Sequence, residues 1–65
     1  MTDVTILNEG TLVGFQLNTL AARQWFEVNV GAEGWQWTGT ILWVEHRYAS
    51  ALADGIAEAG LNLEF

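Results

Sequence analysis

Cysteine, proline and lysine are absent from this sequence, and histidine occurs once, as His46. Without cysteine there is no disulfide framework, and one histidine among scattered carboxylates falls short of the three or four ligands a metal site needs. No metal or cofactor is therefore expected. The usual staples of small domains are missing from a chain of 65 residues, which is near the lower limit for folding unaided. The lack of lysine leaves Arg23 and Arg47 against eight carboxylates, a formal charge of −6. Neutralising phosphates takes clusters of Lys and Arg, so neither direct nucleic-acid binding nor attachment to an anionic membrane is expected. An acidic surface suits a basic protein partner or imitation of a phosphate backbone, and it also keeps an apolar domain in solution. No apolar run approaches the length of a membrane span, and residues 1–10 lack the basic and apolar regions of a secretory signal. A soluble, cytoplasmic protein is the expectation, and the lack of cysteine is compatible with it.

What the chain does have is apolar density: 51% of its residues, four of them tryptophan. That supports one domain, residues 1–65, completed by a core or by a partner's surface. Residues 4–7 and 11–17 are apolar, β-rich runs separated by Asn8-Glu9-Gly10, the pattern of a hairpin. Gly14 within the second run indicates a bulge or a close backbone approach. Asn18 or Thr19 caps a helix running to about residue 29 with Ala21, Ala22, Trp25, Phe26 and Val28 on its apolar face, and Gly31 suits its end.

Residues 35–45 (WQWTGTILWVE) carry the strongest strand signal. Gly39 permits either one bent strand or two short ones turning at Thr38-Gly39, and the unbroken pattern favours one. A second helix runs from His46 or Arg47 to about residue 59, with Tyr48, Leu52, Ile56 and Ala59 along one face. Gly55 would let it sit close on the sheet. Gly60 stops it, and residues 61–65 alternate as a last strand. The expected fold is α+β in the order β-β-α-β-α-β, without internal repeat. Two helices lie on one face of a small mixed or antiparallel four-stranded sheet.

Such a two-layer fold leaves one sheet face open. Taken as one strand, residues 35–45 put Trp35, Trp37, Ile41 and Trp43 on one side and Leu42 and Val44 on the other. If Leu42 and Val44 face the helices, the tryptophans form an uncovered aromatic stripe; if the tryptophans face inward, Leu42 and Val44 make a smaller patch. Trp35, Trp37, Ile41 and Trp43 are the candidate protein interface, since large exposed apolar patches mark contact sites and tryptophan is enriched in hot spots. Core filling is the competing use of each tryptophan. Stacking on bases would need basic neighbours that this strand lacks.

Glu45-His46-Arg47-Tyr48 is the one cluster of reactive residue types. A Glu–His pair can serve acid–base chemistry, but there is no nucleophile at a recognisable elbow. A helix start explains the same residues, so no catalytic residue is assigned and an enzyme is not expected.

The segments FQLNTLAARQWFEVNV, WQWTGTILWVEHRYA and LADGIAEAGL resemble a group of small uncharacterised proteins common in prophages and mobile elements of α-proteobacteria. The likeness spans residues 15–61. Asn18-Thr19-Leu20 stands where that group starts its helix in a Thr-Pro manner, and Trp43 stands where a smaller aliphatic is usual. The resemblance implies a phage or prophage origin and a stand-alone product, with no assigned activity. Two roles follow as expectations. The first is a non-catalytic interaction module, a homo-oligomer joined through its uncovered sheet face or an edge. The second is an acidic inhibitor of a host protein with a basic surface, with Glu9, Glu27, Glu33, Asp54 and Glu58 gathered on one face.

Overall fold

Alternation decides the first hairpin. In β1 (Val4–Glu9), Val4 and Ile6 turn to one side while Thr5, Leu7 and Glu9 turn to the other. The chain returns as β2 (Leu12–Leu17) through Gly10 and Thr11, with Val4 opposite Leu17 and Glu9 opposite Leu12. Asn8 and Glu9, expected in the loop, are thus paired strand residues. Gly10 has φ +73°, and among the described residues no non-glycine has a positive φ. A two-residue turn with glycine first follows the twist of its strands, and it needs no third loop residue.

The computed structural model describes residues 1–30 and 36–65; Trp35, Gly31 and Glu33 lie outside them. Thr19 caps α1 (Leu20–Asn29), its hydroxyl oxygen accepting from the Ala22 N–H at 3.2 Å. Ala22 and Phe26 are buried and Trp25 is half-buried, whereas Ala21 and Val28 of the expected face are exposed, Val28 by 83%.

Residues 36–45 then depart from the single-strand expectation. β3 (Gln36–Thr38) and β4 (Ile41–Glu45) are separate strands joined by Gly39-Thr40, with Gly39 at φ +61°. They pair antiparallel, Trp37 opposite Leu42. After α2 (His46–Glu58) comes β5 (Leu63–Glu64), a two-residue strand parallel to β1. Among the described residues the order is therefore β-β-α-β-β-α-β, and the sheet is five-stranded and mixed, β3-β4-β2-β1-β5.

Both helices lie on one sheet face, as expected. Val4, Val13, Phe15, Leu17, Leu42 and Val44 project to that face and bury with Ala22, Phe26 and Ile56 in one cluster. The inner stripe of α2 is Ala49, Leu52, Ala53 and Ile56, not the stripe through Tyr48 and Ala59, which are exposed. Small alanines let α2 approach the sheet where a tyrosine ring would hold it off. Gly55 accommodates the other helix rather than the sheet: a Cβ there would stand 3.5 Å from Trp25 Cη2.

The additional strand turns the chain into a ββα unit made twice. Gly10-Thr11 and Gly39-Thr40 are matching turns, and β2 and β4 pair antiparallel about Gly14↔Trp43. The N–H of His46 donates to the Thr11 carbonyl at 2.9 Å, and that of Leu17 donates to the Thr40 carbonyl at 3.0 Å. Those two bonds exchange under a pseudo-two-fold axis through the Gly14–Trp43 pair. The repeat is one of geometry, which the dissimilar helices conceal in the sequence.

Candidate functional site

Register fixes the composition of the face opposite the helices. One cross-strand row runs Glu9, Leu12, Glu45 over β1, β2 and β4. The next places Leu7, Gly14 and Trp43 side by side. The third runs Glu64, Thr5, Gln16, Ile41, Thr38 across all five strands. Leu7, Ile41 and Trp43 are half-buried and Leu12 is 37% exposed. No described element covers these rows.

Trp43 is settled in place by a glycine. A Cβ on Gly14 would lie 2.8 Å from Cζ3 and 2.9 Å from Cη2 of the indole, and 3.1 Å from Ile41 Cγ2. The ring thus rests on the Gly14 backbone, and the mid-strand glycine marks a close approach without a bulge in the register.

The expected stripe of Trp35, Trp37, Ile41 and Trp43 is divided. Ile41 and Trp43 share the open face. Trp37, opposite Leu42, belongs to the helix side, because the turn at Gly39-Thr40 resets the alternation. There it is 39% exposed and lines an open groove of about 490 Å³ with Leu17, Leu20 and Phe26. Trp35 lies outside the described residues. Leu7 and Leu12 were not singled out from the sequence; their alternation with Val4, Ile6, Val13 and Phe15 carries the signal.

Of the five carboxylates expected on one face, Glu33 lies outside the described residues and Glu9 is on the side of the sheet opposite the helices that carry the other three. Glu9 is on the open face, Glu27 is on α1, and Asp54 and Glu58 are on α2. Glu45 and Glu64 join Glu9 instead, bordering the apolar rows from both ends. Arg47 Nε lies 3.5 Å from Glu45 Oε2, with the two side chains 71% and 59% exposed. Its guanidinium is 5.0 Å from the Tyr48 ring centroid. At that exposure the ion pair contributes about 1 kcal/mol or less. His46 is exposed, and its main-chain N–H serves the strand crossing described above.

A second groove, of about 650 Å³, opens between α2 and β1 over Ile6, Val13, Ala49, Ala53 and Phe65. Its strand-side floor is core, with Val13 only 5% exposed. Among the described residues no group of three or more His, Cys, Asp or Glu is placed to hold a metal ion. Nor is any described helix long and apolar enough to cross a membrane.

One polar cluster escaped sequence reasoning. Asp3 accepts from the Asn62 N–H at 2.9 Å and from the Thr19 hydroxyl at 2.7 Å. These two bonds, Asn62 first, hold its carboxyl below the ordinary value of 3.8. Main-chain bonds from Asn18 N–H to the Asp3 carbonyl and from Val4 N–H to the Asn62 carbonyl complete the tie. It fastens β5 and the start of α1 to the residue that leads into the first strand.

No protein-family model, curated protein or solved structure matched the chain.

Proposed function

We propose that the chain is a non-catalytic protein-interaction module whose working surface is the uncovered face of its sheet. The observation that carries this reading is the contiguous set Leu7, Leu12, Ile41 and Trp43, over which no described element lies. A small acidic domain gains nothing in solubility from such a patch, and contiguous apolar surface is what protein contacts bury. Trp43 supplies the large amphipathic ring common in hot spots.

Two occupants suit that surface. The short chain and its missing staples favour a second copy, giving a homodimer. The carboxylates bordering the patch favour a different protein with a basic surface, and a prophage origin with a host protein as partner belongs to that version. Sedimentation velocity over a dilution series, on the wild type and on Leu12→Glu and Ile41→Glu, addresses the first occupant. A dimer abolished by either substitution supports a second copy on the face. A dimer indifferent to both substitutions overturns the face as the working surface.

A further inference from the structure

The charged side chains that the strands themselves place around the open face are all carboxylates, one of which, Glu45, is paired with Arg47 of α2. Glu9 and Glu45 flank Leu12 in neighbouring strands, and Glu64 stands at the opposite end of the sheet beside Thr5. Directly opposed residues in adjacent strands lie roughly 5 Å apart, so Glu9 and Glu45 are about 10 Å from each other across Leu12. The arginines stand on the helices, Arg23 on α1 and Arg47 on α2. Arg47 reaches back to Glu45; no ion pair to Glu9 or Glu64 occurs among the described residues. Two copies pressed face to face would bring these like-charged borders within about one Debye length, 8–10 Å, with formal charge −6 on each chain.

We propose that the open face binds a basic amphipathic segment of another protein, its apolar side chains on Leu7, Leu12, Ile41 and Trp43 and its Lys or Arg side chains on the Glu9–Glu45 border. This rests on the reading of the face as the working surface. The dimensions agree with a helix. From the row of Leu12 to the row of Gln16 is four residues of strand, about 13 Å, against a helix diameter of about 10–12 Å with side chains. A helix lying across the strands would set its apolar stripe on the Leu7–Gly14–Trp43 row. Its flanking cations would then meet Glu9 and Glu45 on one side and Glu64 on the other.

The test uses the full chain and a synthetic Leu–Lys amphipathic helix of about 18 residues, long enough to be helical when bound. Its Leu–Glu counterpart is the control. Binding is followed by amide and indole NMR shifts at two salt concentrations. Expected are shifts centred on Leu7, Leu12, Gly14, Ile41 and Trp43, affinity that weakens with salt, and no binding of the Leu–Glu peptide. Removing two charges at the border, Glu9→Gln with Glu45→Gln, should weaken binding about ten-fold. Removing two from the helices, Glu27→Gln with Glu58→Gln, should change it less than two-fold. All four substitutions are at exposed positions, and unchanged circular dichroism confirms the fold. Equal losses from the two pairs, or no binding, overturn the basic-partner proposal. Shifts on the helix side around Trp37 or Phe65 overturn both that proposal and the choice of face. If sedimentation shows a homodimer whose disruption exposes Trp43, the face stands and its occupant is a second copy instead.

Discussion

Trp43 and Gly14, opposite each other at the centre of the sheet, occupy equivalent positions in the two ββα units, and the indole of one fills the space above the other. A side chain at both positions would crowd the pseudo-two-fold axis. A glycine at both would leave the open face without its largest apolar group. The pairing of the bulkiest residue with the smallest makes the apolar set on the face opposite the helices continuous from Leu7 to Ile41.

Gly14→Ala should therefore destabilise the protein although alanine is the better strand former. The added methyl would stand 2.8 Å from the Trp43 ring. The atoms met are the outer edge of an indole that can tilt off the open face, so the cost should fall at the low end of the overpacking range, about 1 kcal/mol. In a Trp43→Leu background the same substitution should cost much less. Denaturant melts of the four proteins in the cycle measure the coupling, and additive effects would show that the two residues do not interact.

The turns make a separate prediction. A Cβ on Gly10 or Gly39 would meet nothing within 4 Å, and φ is +73° and +61°, so the cost of L-alanine there is in the backbone alone. Each L-alanine should destabilise by about 1–2 kcal/mol. D-alanine, introduced by chemical synthesis, should match or exceed glycine by up to about 1 kcal/mol. Loss of stability with both enantiomers would mean that the glycines serve packing instead.

The two helix faces can be told apart by truncation. Phe26→Ala removes a buried ring from the α1 interface and should cost about 3–5 kcal/mol, enough to unfold so small a domain. Val28→Ala, at a position 83% exposed, should change stability by less than about 0.5 kcal/mol. Thermal melts check both, and a large effect at Val28 would place the inner stripe of α1 elsewhere.

Much of this was legible in the sequence. The first hairpin, a cap at Asn18 or Thr19 and the ends of α2 follow from local signals that do not depend on distant contacts. The long tryptophan segment misled because its apolar pattern runs through the turn without a polar break. The usable clue was Gly39-Thr40 repeating the Gly10-Thr11 of the first hairpin. One turn there shifts the alternation, and with it Trp37 leaves the company of Trp43. Helical spacing in α2 fits several faces, the one through Tyr48 among them, and the alanine stripe faces inward because it lets α2 lie close. The Asp3 tie joins residues from the two ends of the chain, and nothing local announces it.

That tie has a pH signature. The Asp3 carboxyl is held below its ordinary 3.8 by Asn62 and Thr19, so its contribution is present above that value and lost as pH falls through the folded-state one. Stability should decline below roughly pH 4. Asp3→Asn should lower stability at neutral pH and flatten that decline. Thr19→Ala removes the cap and one of the two bonds to Asp3, and should cost about 1 kcal/mol at neutral pH. Urea midpoints against pH for the three proteins test this, and an unchanged acid limb in Asp3→Asn would contradict it.

The central claim is that the sheet face carrying Trp43 is open to a partner. Its most direct test is solvent access in the monomer, measured by NMR broadening from a soluble nitroxide at high dilution. The account predicts strong broadening at the methyl groups of Leu7, Leu12 and Ile41 and at the Trp43 indole, with Leu42 and Val44 spared. Shielding of Leu7 and Trp43 equal to that of Leu42 would show that the chain covers its own face, and would contradict the claim.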